Sequence, residues 1–431
     1  MSHAYTLIMT VTSCDYLDVP PSDVDSISMK QEASSSKRVN VRRAEIMEKV
    51  ELEITQHYQS ELISTIRNQG NSLILAHTEF KLAQEFGFCN GVRRAIDIAY
   101  AARRVFPTER IFLIGEIIHN PEVNRQLDLM GVRRLPWQAL SADYDDLTKD
   151  DVVIIPAFGV PKSFMDKLES KGVSIVDTTC GDVMKVWKRV KSYAAKGITS
   201  IIHGKLSHEE TRATASRALG EDGKGKFVII YTMEDAQCLT DWITGKISKE
   251  SFLNRMKDSC SRNFDPTLDL MSIGLANQTT MLRSETQHIQ SLLRDAIVER
   301  DGNHDKFHVF ETICGATQDR QDALFHLLKS KVDVMFVVGG YNSSNTTHLV
   351  EISKGQVPTY FIEQASCILS LHQIKSYNTV SLKEETIEAS PVLADVDNML
   401  RIGITAGASC PANLIEDTMR HLASLRGETI V

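Results

Sequence analysis

Three cysteines in this chain stand at equivalent points of a pattern that occurs three times: Cys89 in Phe-Gly-Phe-Cys, Cys180 in Asp-Thr-Thr-Cys and Cys314 in Glu-Thr-Ile-Cys. A disulfide needs two cysteines, and a structural tetrahedral metal site needs four thiolate or imidazole ligands. An iron–sulfur cluster held by three thiolates leaves one iron open to a substrate. The three equivalent cysteines therefore predict an open-coordinated metal centre.

Each cysteine lies between a strand-like segment and a segment with helical periodicity. We expect strands at residues 82–88, 173–177 and 307–311, each followed by a cysteine and then by a helix. A second strand should follow each helix and end in a polar loop. These loops lie at a nearly constant distance from their cysteines and contain His119, His208 and Ser343.

A third strand-like run closes each repeat, in Ala-Phe-Gly-Val at 157–160, Asn-Gln-Thr-Thr at 277–280 and Ala-Gly-Ala-Ser at 406–409. Strands that alternate with helices are typical of parallel βαβ units, in which ligand groups collect at the carboxyl ends of the strands. We therefore predict an α/β fold of three pseudo-equivalent units with small parallel sheets. Three such units facing one axis bring the cysteines together.

The repeats divide the chain into an N-terminal extension (1–75), three α/β units (76–180, 181–312 and 313–405) and a C-terminal segment (406–431). Residues 1–40 are serine-rich with early acidic residues, which predicts a mobile extension and argues against an organelle transit peptide. Apolar residues recurring every four positions predict a helix at about 43–67, packed on the outside of the first unit. The pairs Lys37-Arg38 and Arg42-Arg43 could bind an acidic partner, but a solvated face is the preferred interpretation.

The composition is that of an ordinary globular chain: 431 residues, 42% hydrophobic and 24% charged. The net charge of −8 argues against nucleic-acid binding. No apolar run approaches the roughly 20 residues that span a bilayer, so we expect no membrane insertion. Eight cysteines without a recognisable secretory signal indicate a reducing compartment. Outside the repeat, only Cys410 is expected to face the site, where it would be liable to oxidation.

The polar loops contain groups suited to an anion. His119 and His208 occupy equivalent repeat positions, which makes a shared functional role more plausible than for a lone histidine. In the third repeat, two glycines precede a run of hydroxyl and amide side chains, which offers several donors to one anion. Together with Ser409 this loop predicts a phosphate or diphosphate pocket, and its members are Ser343, Ser344 and Asn345.

Glu210 is the acid with the clearest chemical potential, because it lies two residues from His208 in a loop that should face the metal centre. Desolvation there would raise the pKa of its carboxyl and let it donate protons near neutral pH. Thr279 comes from the third strand of the same repeat, and its hydroxyl could relay that proton or hold a substrate hydroxyl. A helix N-cap is an equally plausible role for Thr279 or Thr280.

Eight segments in order resemble the 4-hydroxy-3-methylbut-2-enyl diphosphate reductases, which catalyse the last step of the non-mevalonate isoprenoid pathway. The resemblance covers about residues 80–425. In detail, the sequence is similar to the plant and cyanobacterial class. Its segments are Gly-Phe-Cys-Asn-Gly-Val (87–92), Ile-His-Asn-Pro-Glu-Val-Asn (118–124), Asp-Thr-Thr-Cys (177–180), His-Glu-Glu-Thr (208–211), Asn-Gln-Thr-Thr (277–280), Thr-Ile-Cys-Gly-Ala-Thr (312–317), Asn-Ser-Ser-Asn (342–345) and Thr-Ala-Gly-Ala-Ser (405–409).

The resemblance implies a trefoil of three α/β units around one [4Fe-4S] cluster, held by Cys89, Cys180 and Cys314. It implies that the diphosphate is bound by His119, His208, Ser343, Ser344, Asn345 and Ser409, with Thr279 near the substrate hydroxyl and Glu210 as the proton donor. The implied reaction removes that hydroxyl as water with two electrons and two protons, giving isopentenyl and dimethylallyl diphosphate. Ferredoxin or flavodoxin is the implied electron donor.

Three positions depart from the common bacterial pattern. Phe158 stands where many members have a histidine, which removes one diphosphate contact. Gly181 replaces the usual proline after Cys180, and Asn90 replaces a larger residue after Cys89. The last two changes lie beside ligands and leave room for a diverged activity.

Two other functions remain open from the sequence. An aconitase-type hydro-lyase also uses three cysteines and an open iron, but that class usually has two of them in Cys-x-x-Cys, which this chain lacks. A non-catalytic iron–sulfur or zinc-binding regulatory module is the second alternative. The cytoplasm is the expected compartment, with the plastid stroma as the alternative.

Overall fold

The computed structural model describes residues 38–137, 146–310 and 312–431. The strands in these ranges are, in chain order, β1 (Ser72–Ile74), β2 (Thr78–Leu82), β3 (Ile111–Ile114), β4 (Val132–Leu135), β5 (Val152–Ile155), β6 (Ser174–Asp177), β7 (Thr199–His203), β8 (Phe227–Ile230), β9 (Ile273–Asn277), β10 (Phe307–Val309), β11 (Val334–Val338), β12 (Thr359–Ile362), β13 (Gln373–Asn378), β14 (Lys383–Glu388) and β15 (Leu400–Ala406).

The helices connect these strands and cover their faces. They are α1 (Ala44–Tyr58), α2 (Glu61–Asn68), α3 (Asn90–Val105), α4 (Pro121–Leu129), α5 (Lys162–Lys171), α6 (Gly181–Ala195), α7 (Glu209–Ala218), α8 (Met233–Ile243), α9 (Lys249–Met256), α10 (Pro266–Asp269), α11 (Arg283–Asp301), α12 (Gly315–Lys329), α13 (Ser344–Lys354) and α14 (Ala412–Leu425). Short 3-10 turns lie at Lys257–Ser259, Ala365–Cys367 and Pro391–Ala394.

Three small sheets confirm the predicted α/β fold. The first has the order β4-β3-β5-β6 and the second the order β10-β9-β7-β8, and all their strands are parallel. The third has the order β1-β2-β15-β11-β12, in which only β1 is antiparallel. The central strands β5, β9 and β11 are buried along their whole length, as expected when helices cover both faces. A separate hairpin, β13-β14, follows β12.

Each cysteine lies where the chain leaves one sheet for the next. The chain passes from β6 of the first sheet through Cys180 and α6 to β7 of the second. It passes in the same way from β10 through Cys314 and α12 to β11 of the third sheet. The third sheet in turn contains β2, from which the chain runs through Cys89 and α3 to β3 of the first. The three units therefore connect in a closed cycle.

The predicted position of the first strand is wrong. The strand lies earlier in the chain: β2 ends at Leu82, the first residue of the predicted run, and residues 83–88 form no strand. The alternating residues Thr78, Phe80 and Leu82 of β2 are buried. β2 also does not join the sheet formed by the other strands of residues 76–180, because it pairs with β15 of the third sheet. Alternation within a strand shows which face is buried but not which sheet it joins. The strands predicted near 173–177 and 307–311 correspond to β6 and β10, although residue 311 lies outside the described residues.

The N-terminal region forms two helices where we expected one. The single helix predicted at about 43–67 is interrupted after Tyr58, and Ser60 begins α2 by accepting a hydrogen bond from the backbone N–H of Ile63 at 2.9 Å. A serine in extended backbone conformation is a preferred helix N-cap, which explains the break. Helix α1 packs on the first unit as predicted, whereas α2 joins the core of the third. The predicted mobile stretch covers residues 1–40, and residues 1–37 of it lie outside the described residues.

The C-terminal segment 406–431 is part of the third unit. Helix α14 buries Ile415, Met419 and Leu422 in the same hydrophobic core as the central strand β11. In the described residues, no helix is both long and apolar enough to cross a bilayer.

Packing of α1 on the first unit gives a direct test of this arrangement. Ile54→Ala should lower the free energy of unfolding by about 2–4 kcal/mol, because its side chain is fully buried and truncation leaves a cavity. Leu52→Ala is the matched control on the same helix, since Leu52 is 73% exposed, and it should change stability little. Chemical denaturation followed by circular dichroism measures both. Equal effects of the two substitutions would contradict the described packing.

Candidate active site

The three cysteines are fixed by backbone hydrogen bonds to the loops that follow the neighbouring strands. Each cysteine N–H donates to a carbonyl of the loop after the strand paired with its own, and the bonds are Cys89 to Ala408 (3.2 Å), Cys180 to Ala157 (2.9 Å) and Cys314 to Thr279 (3.1 Å). In each case the pairing of two parallel strands continues past their ends. The predicted third-strand loops are therefore brought next to the cysteines.

Each cysteine is also the N-cap of the helix that follows it. The Cys89 sulfur accepts a hydrogen bond from the Val92 N–H at 3.4 Å, and the Cys314 sulfur accepts one from the Thr317 N–H at 3.3 Å. A helix N-terminus favours negative charge and so favours a thiolate. Burial acts in the opposite direction: it raises the pKa of Cys180, and it raises the pKa of Cys314 to about 11. A bound cation would supply the charge that keeps such half-buried sulfurs deprotonated.

One cavity of about 450 Å³ contains every residue that the sequence predicted for the site. Its lining includes the three cysteines, two histidines, one acid and five hydroxyl or amide residues: Cys89, Cys180, Cys314, His119, His208, Glu210, Thr279, Ser343, Ser344, Asn345 and Ser409. All three units contribute to it. Residues distant in the chain thus meet at one place, as the repeat predicted.

The space between the cysteines suits a group larger than one ion. A side chain at Gly91 would place its Cβ 2.6 Å from the Cys180 sulfur, so only glycine leaves that sulfur clear; the Cys89 sulfur, at 3.8 Å, would be in ordinary contact. Among the described residues, the cysteines do not form a set whose ligand atoms all lie within 4.8 Å of one another. A single metal ion needs such a set, whereas a cluster holds its thiolates further apart. The donor set and the spacing therefore fit an iron–sulfur cluster.

Glu210 is buried and bonded to Thr279 through both carboxyl oxygens. The Thr279 N–H donates to Oε1 at 2.6 Å, and the Thr279 hydroxyl donates to Oε2 at 3.0 Å. Burial raises the pKa of Glu210 to about 7, against the opposing effect of these two hydrogen bonds. The carboxyl can therefore carry a proton near neutral pH, as general acid catalysis requires. Thr279 is not a helix N-cap, which resolves one of the alternatives that the sequence left open.

His208 is held in its neutral form. It begins α7 as the N-cap, and its Nδ1 accepts a hydrogen bond from the Glu210 N–H at 3.1 Å. Burial and the nearby His119 lower the pKa of His208 well below its usual value. The proton of the neutral ring must then lie on Nε2, because Nδ1 is an acceptor. His208 can thus offer one N–H donor to an anion.

His119 has a different environment, in which two carboxylates face its ring nitrogens. Glu116 Oε2 lies 2.9 Å from Nδ1, and Glu209 Oε2 lies 3.6 Å from Nε2. Phe158 stacks on the imidazole with 4.2 Å between ring centroids. Sequence reasoning assigned no role to Glu116 or Glu209. The spacing of Glu116, three residues before a predicted site histidine, was the available signal.

The loop of the third unit presents the start of a helix to the cavity. Ser343 is the N-cap of α13 and accepts a hydrogen bond from the Thr346 N–H at 3.3 Å. Buried Asn345 accepts from the Ala408 N–H at 2.9 Å through Oδ1, and its Nδ2 has no partner among the described residues. An unpaired buried donor beside a helix N-terminus is suited to an anionic ligand.

Further contacts join the loops of different units. The Ser409 hydroxyl donates to the His119 carbonyl at 3.0 Å, which ties the third unit to the first. A Cβ at Gly340 would lie 2.4 Å from the same carbonyl, so the close approach of the two loops requires glycine there. Gln278, to which the sequence gave no separate role, donates through Nε2 to the Ser344 hydroxyl at 2.9 Å. The anion-binding loops are therefore positioned relative to one another.

The remaining expectations have mixed outcomes. Cys410 does not face the cavity: it is fully buried in the core of the third unit, where burial raises the pKa of its thiol. The expectation that it is exposed to oxidation there was wrong, because the loop turns inward after Ser409. Phe158 and Asn90 line the cavity, and Phe158 adds no polar group to it. A Cβ on Gly181 would meet nothing within 4 Å.

Comparison with known proteins agrees with the predicted family. The sequence model of the LytB protein family matches residues 80–423. The chain is 42% identical over 409 residues to a 4-hydroxy-3-methylbut-2-enyl diphosphate reductase from Synechococcus sp. (strain RCC307), covering 93% of this chain and 97% of the relative. It is 39% identical over 417 residues to a protein of the same name from Trichormus variabilis, covering 95% and 100%.

A solved structure has a similar fold. The E-1-hydroxy-2-methyl-but-2-enyl-4-diphosphate reductase from Plasmodium falciparum matches with a TM-score of 0.57 at 21% identity. The match covers 79% of this chain and 86% of that one. At this identity the likeness concerns the fold, and it supports the arrangement of three α/β units.

Gly91 and Gly181 provide a matched pair of variants for the space beside the cysteines. Gly91→Ala should strongly reduce the iron and sulfide retained after anaerobic reconstitution, because the new methyl group would overlap the Cys180 sulfur. Gly181→Ala adds the same group next to Cys180 but points it into open space, so its iron content should match that of the wild type. Elemental analysis measures both. Full iron loading of Gly91→Ala would contradict the proposed use of this space.

Proposed function

The chain belongs to the LytB protein family, and we propose that it catalyses the reaction for which its curated relatives are named. It reduces (E)-4-hydroxy-3-methylbut-2-enyl diphosphate, removing the hydroxyl as water with two electrons and two protons. The products are isopentenyl and dimethylallyl diphosphate. The observation that carries this proposal is a buried carboxyl with a pKa of about 7 in one cavity with three cysteines from three units.

Cys89, Cys180 and Cys314 hold one [4Fe-4S] cluster per chain. When bound, the cluster supplies electrons and a Lewis-acidic iron for the substrate hydroxyl. The protein contributes three sulfurs at helix N-termini and the free space that Gly91 leaves.

The diphosphate is bound by side chains from all three units. His208 donates from Nε2, and the start of α13 offers backbone N–H groups with the unpaired Asn345 amide. The residues we assign to this binding are His119, His208, Ser343, Ser344, Asn345 and Ser409. Binding energy at this end of the substrate positions the allylic carbon at the other end.

Glu210 and Thr279 act on the leaving hydroxyl. Hydroxide is a poor leaving group, so a proton must reach that oxygen as the C–O bond breaks. Glu210 carries the proton at neutral pH, and the Thr279 hydroxyl, 3.0 Å from Glu210 Oε2, lies where it can relay the proton or hold the substrate oxygen. The Thr279 N–H fixes the second carboxyl oxygen and so sets the direction of the carboxyl group.

Electrons come from a one-electron carrier, for which we propose a ferredoxin or a flavodoxin. The cytoplasm stays the proposed compartment, with the plastid stroma as the alternative.

Anaerobic purification followed by a turnover assay tests the proposed function. We expect a brown protein with about four irons per chain that oxidises reduced viologen only when the hydroxymethylbutenyl diphosphate is supplied. A colourless protein loaded with zinc would refute the enzymatic function. Viologen oxidation that does not depend on the substrate would likewise refute it.

Glu210→Gln should lower turnover by about 100-fold or more while the cluster is retained, because the amide cannot donate the proton. For the wild type, the pKa of about 7 predicts a pH dependence with a definite sign. Glu210 is protonated below about pH 7 and loses its proton above it, so kcat should fall as pH rises through that value. Stopped-flow or steady-state viologen oxidation measures the profile.

Glu209→Gln is the control for this profile, since it neutralises the adjacent acid without touching the Glu210–Thr279 pair. The fall in kcat above about pH 7 should persist in this variant. If Glu210→Gln keeps wild-type turnover, Glu210 is not the proton donor.

A further inference from the structure

A second pocket, of about 540 Å³, lies where the N-terminal segment joins the first sheet. The Val39 N–H donates to the Ile175 carbonyl at 2.8 Å, so the segment runs parallel to β6, and Val41 is buried in the core. This pairing covers the edge of the strand that leads to Cys180. The pocket is lined by Arg38, Asn40, Arg42, Met47, Arg94 and Asp177, among others.

The pocket carries an excess of positive charge. Arg38 forms ion pairs with Asp177 at 3.5 Å and with Glu169 at 3.9 Å. Over the described parts of the chain, no acidic side chain forms an ion pair with Arg42 or Arg94. Arg42 is exposed and Arg94 is half-buried. Asp97 lies near Arg42 without forming a direct ion pair, and Arg94 uses one nitrogen in a bond to the Thr179 carbonyl. The exposed Arg42 guanidinium and the remaining nitrogens of Arg94 can contact an anionic partner, on a chain whose net charge is −8.

The wall of this pocket is bonded directly to the residue before Cys180. Arg94 donates from Nη1 to the Thr179 carbonyl at 3.2 Å, and Asp177 accepts from the Thr179 N–H at 3.0 Å. Thr179 is joined to Cys180 by a peptide bond, so the pocket is separated from the cysteine sulfur by a short covalent path. The pocket shares no lining residue with the cavity that contains Glu210. A molecule bound here would not displace a substrate.

We infer that this pocket docks the acidic face of the one-electron carrier protein that reduces the enzyme. The inference rests on the proposed function, since only a reductase needs a carrier. Two carrier molecules dock in turn and each is oxidised by one electron. The C–O bond breaks, one proton leaves with the hydroxyl as water, and the second proton forms a new C–H bond with the electron pair; the two products differ in the position of the double bond. Positive charge at the docking site speeds the encounter with an acidic partner and orients it.

The docking site gives a role to two arginines of the basic pairs near the start of the described residues, Arg38 and Arg42. The sequence alone favours a solvated face for Lys37-Arg38 and Arg42-Arg43, because charged pairs are usually solvated. Pairing of residue 39 with β6 instead places Arg38 and Arg42 beside Arg94, from a helix that begins at a ligand cysteine. Residue 37 lies outside the described residues.

Arg42→Glu tests the docking site in the full-length, cluster-loaded enzyme. Binding of an oxidised acidic [2Fe-2S] carrier protein, which cannot drive turnover, is measured by isothermal titration at low and high salt. We expect the Kd to rise by about tenfold or more at low salt, because an attractive charge becomes repulsive. The salt dependence of the Kd should also become weaker than that of the wild type.

Arg133→Glu is the matched control, because Arg133 is exposed on β4, at the opposite edge of the same sheet. Its carrier Kd should equal that of the wild type. Turnover with reduced viologen should be the same in all three proteins, which shows that folding and cluster are intact.

The outcomes separate the two proposals. A carrier Kd that is unchanged in Arg42→Glu, or changed equally in Arg133→Glu, overturns the docking site even if the wild type turns over with viologen. Loss of substrate-dependent viologen oxidation in the wild type overturns the proposed function instead, and with it the need for a carrier.

Discussion

The backbone hydrogen bond from each of the three repeated cysteines to the neighbouring loop is the interaction on which the rest of this structure depends. It joins Cys89 to Ala408, Cys180 to Ala157 and Cys314 to the Thr279 carbonyl, at 2.9–3.2 Å. Each bond continues a parallel strand pairing past its end, just before a helix begins at the cysteine. One local geometry, used three times, therefore fixes three cysteines and the loops that surround the cavity of about 450 Å³. Because β2 belongs to the third sheet, the passage of the chain from β2 through Cys89 to the first sheet also closes the cycle of the three units.

Burial has one electrostatic effect at this site and two chemical consequences. It disfavours charge, so it raises the pKa of Glu210 to about 7 and lowers the pKa of His208 well below its usual value. Glu210 can therefore hold a proton near neutral pH, whereas His208, two residues away, stays neutral. The first suits proton donation and the second suits a single hydrogen bond to an anion. Beside His208 lies His119, whose two ring nitrogens face Glu116 and Glu209.

The sequence predicted the members of the site better than the strands that carry them. Cysteines and polar loops recur at constant spacing, so their convergence followed from the geometry of βαβ units. The sheet to which β2 belongs could not be predicted from the sequence, because its partner β15 lies more than 300 residues away in the chain. Alternation of buried residues does not show which strand is the partner. The break at Ser60 was missed because the apolar period continues through it. Gln278 was missed because its role depends on a contact between loops of different units. Glu116 was missed although it lies only three residues before His119, which it contacts.

The account depends on three cysteines holding a cluster with one iron open to the substrate, and Mössbauer spectroscopy of the ⁵⁷Fe-loaded protein tests this most directly. Three thiolate ligands predict two iron environments in a ratio of about three to one, of which only the minor one changes when the hydroxymethylbutenyl diphosphate is added. Four equivalent irons with a spectrum that the substrate leaves unchanged would contradict the account.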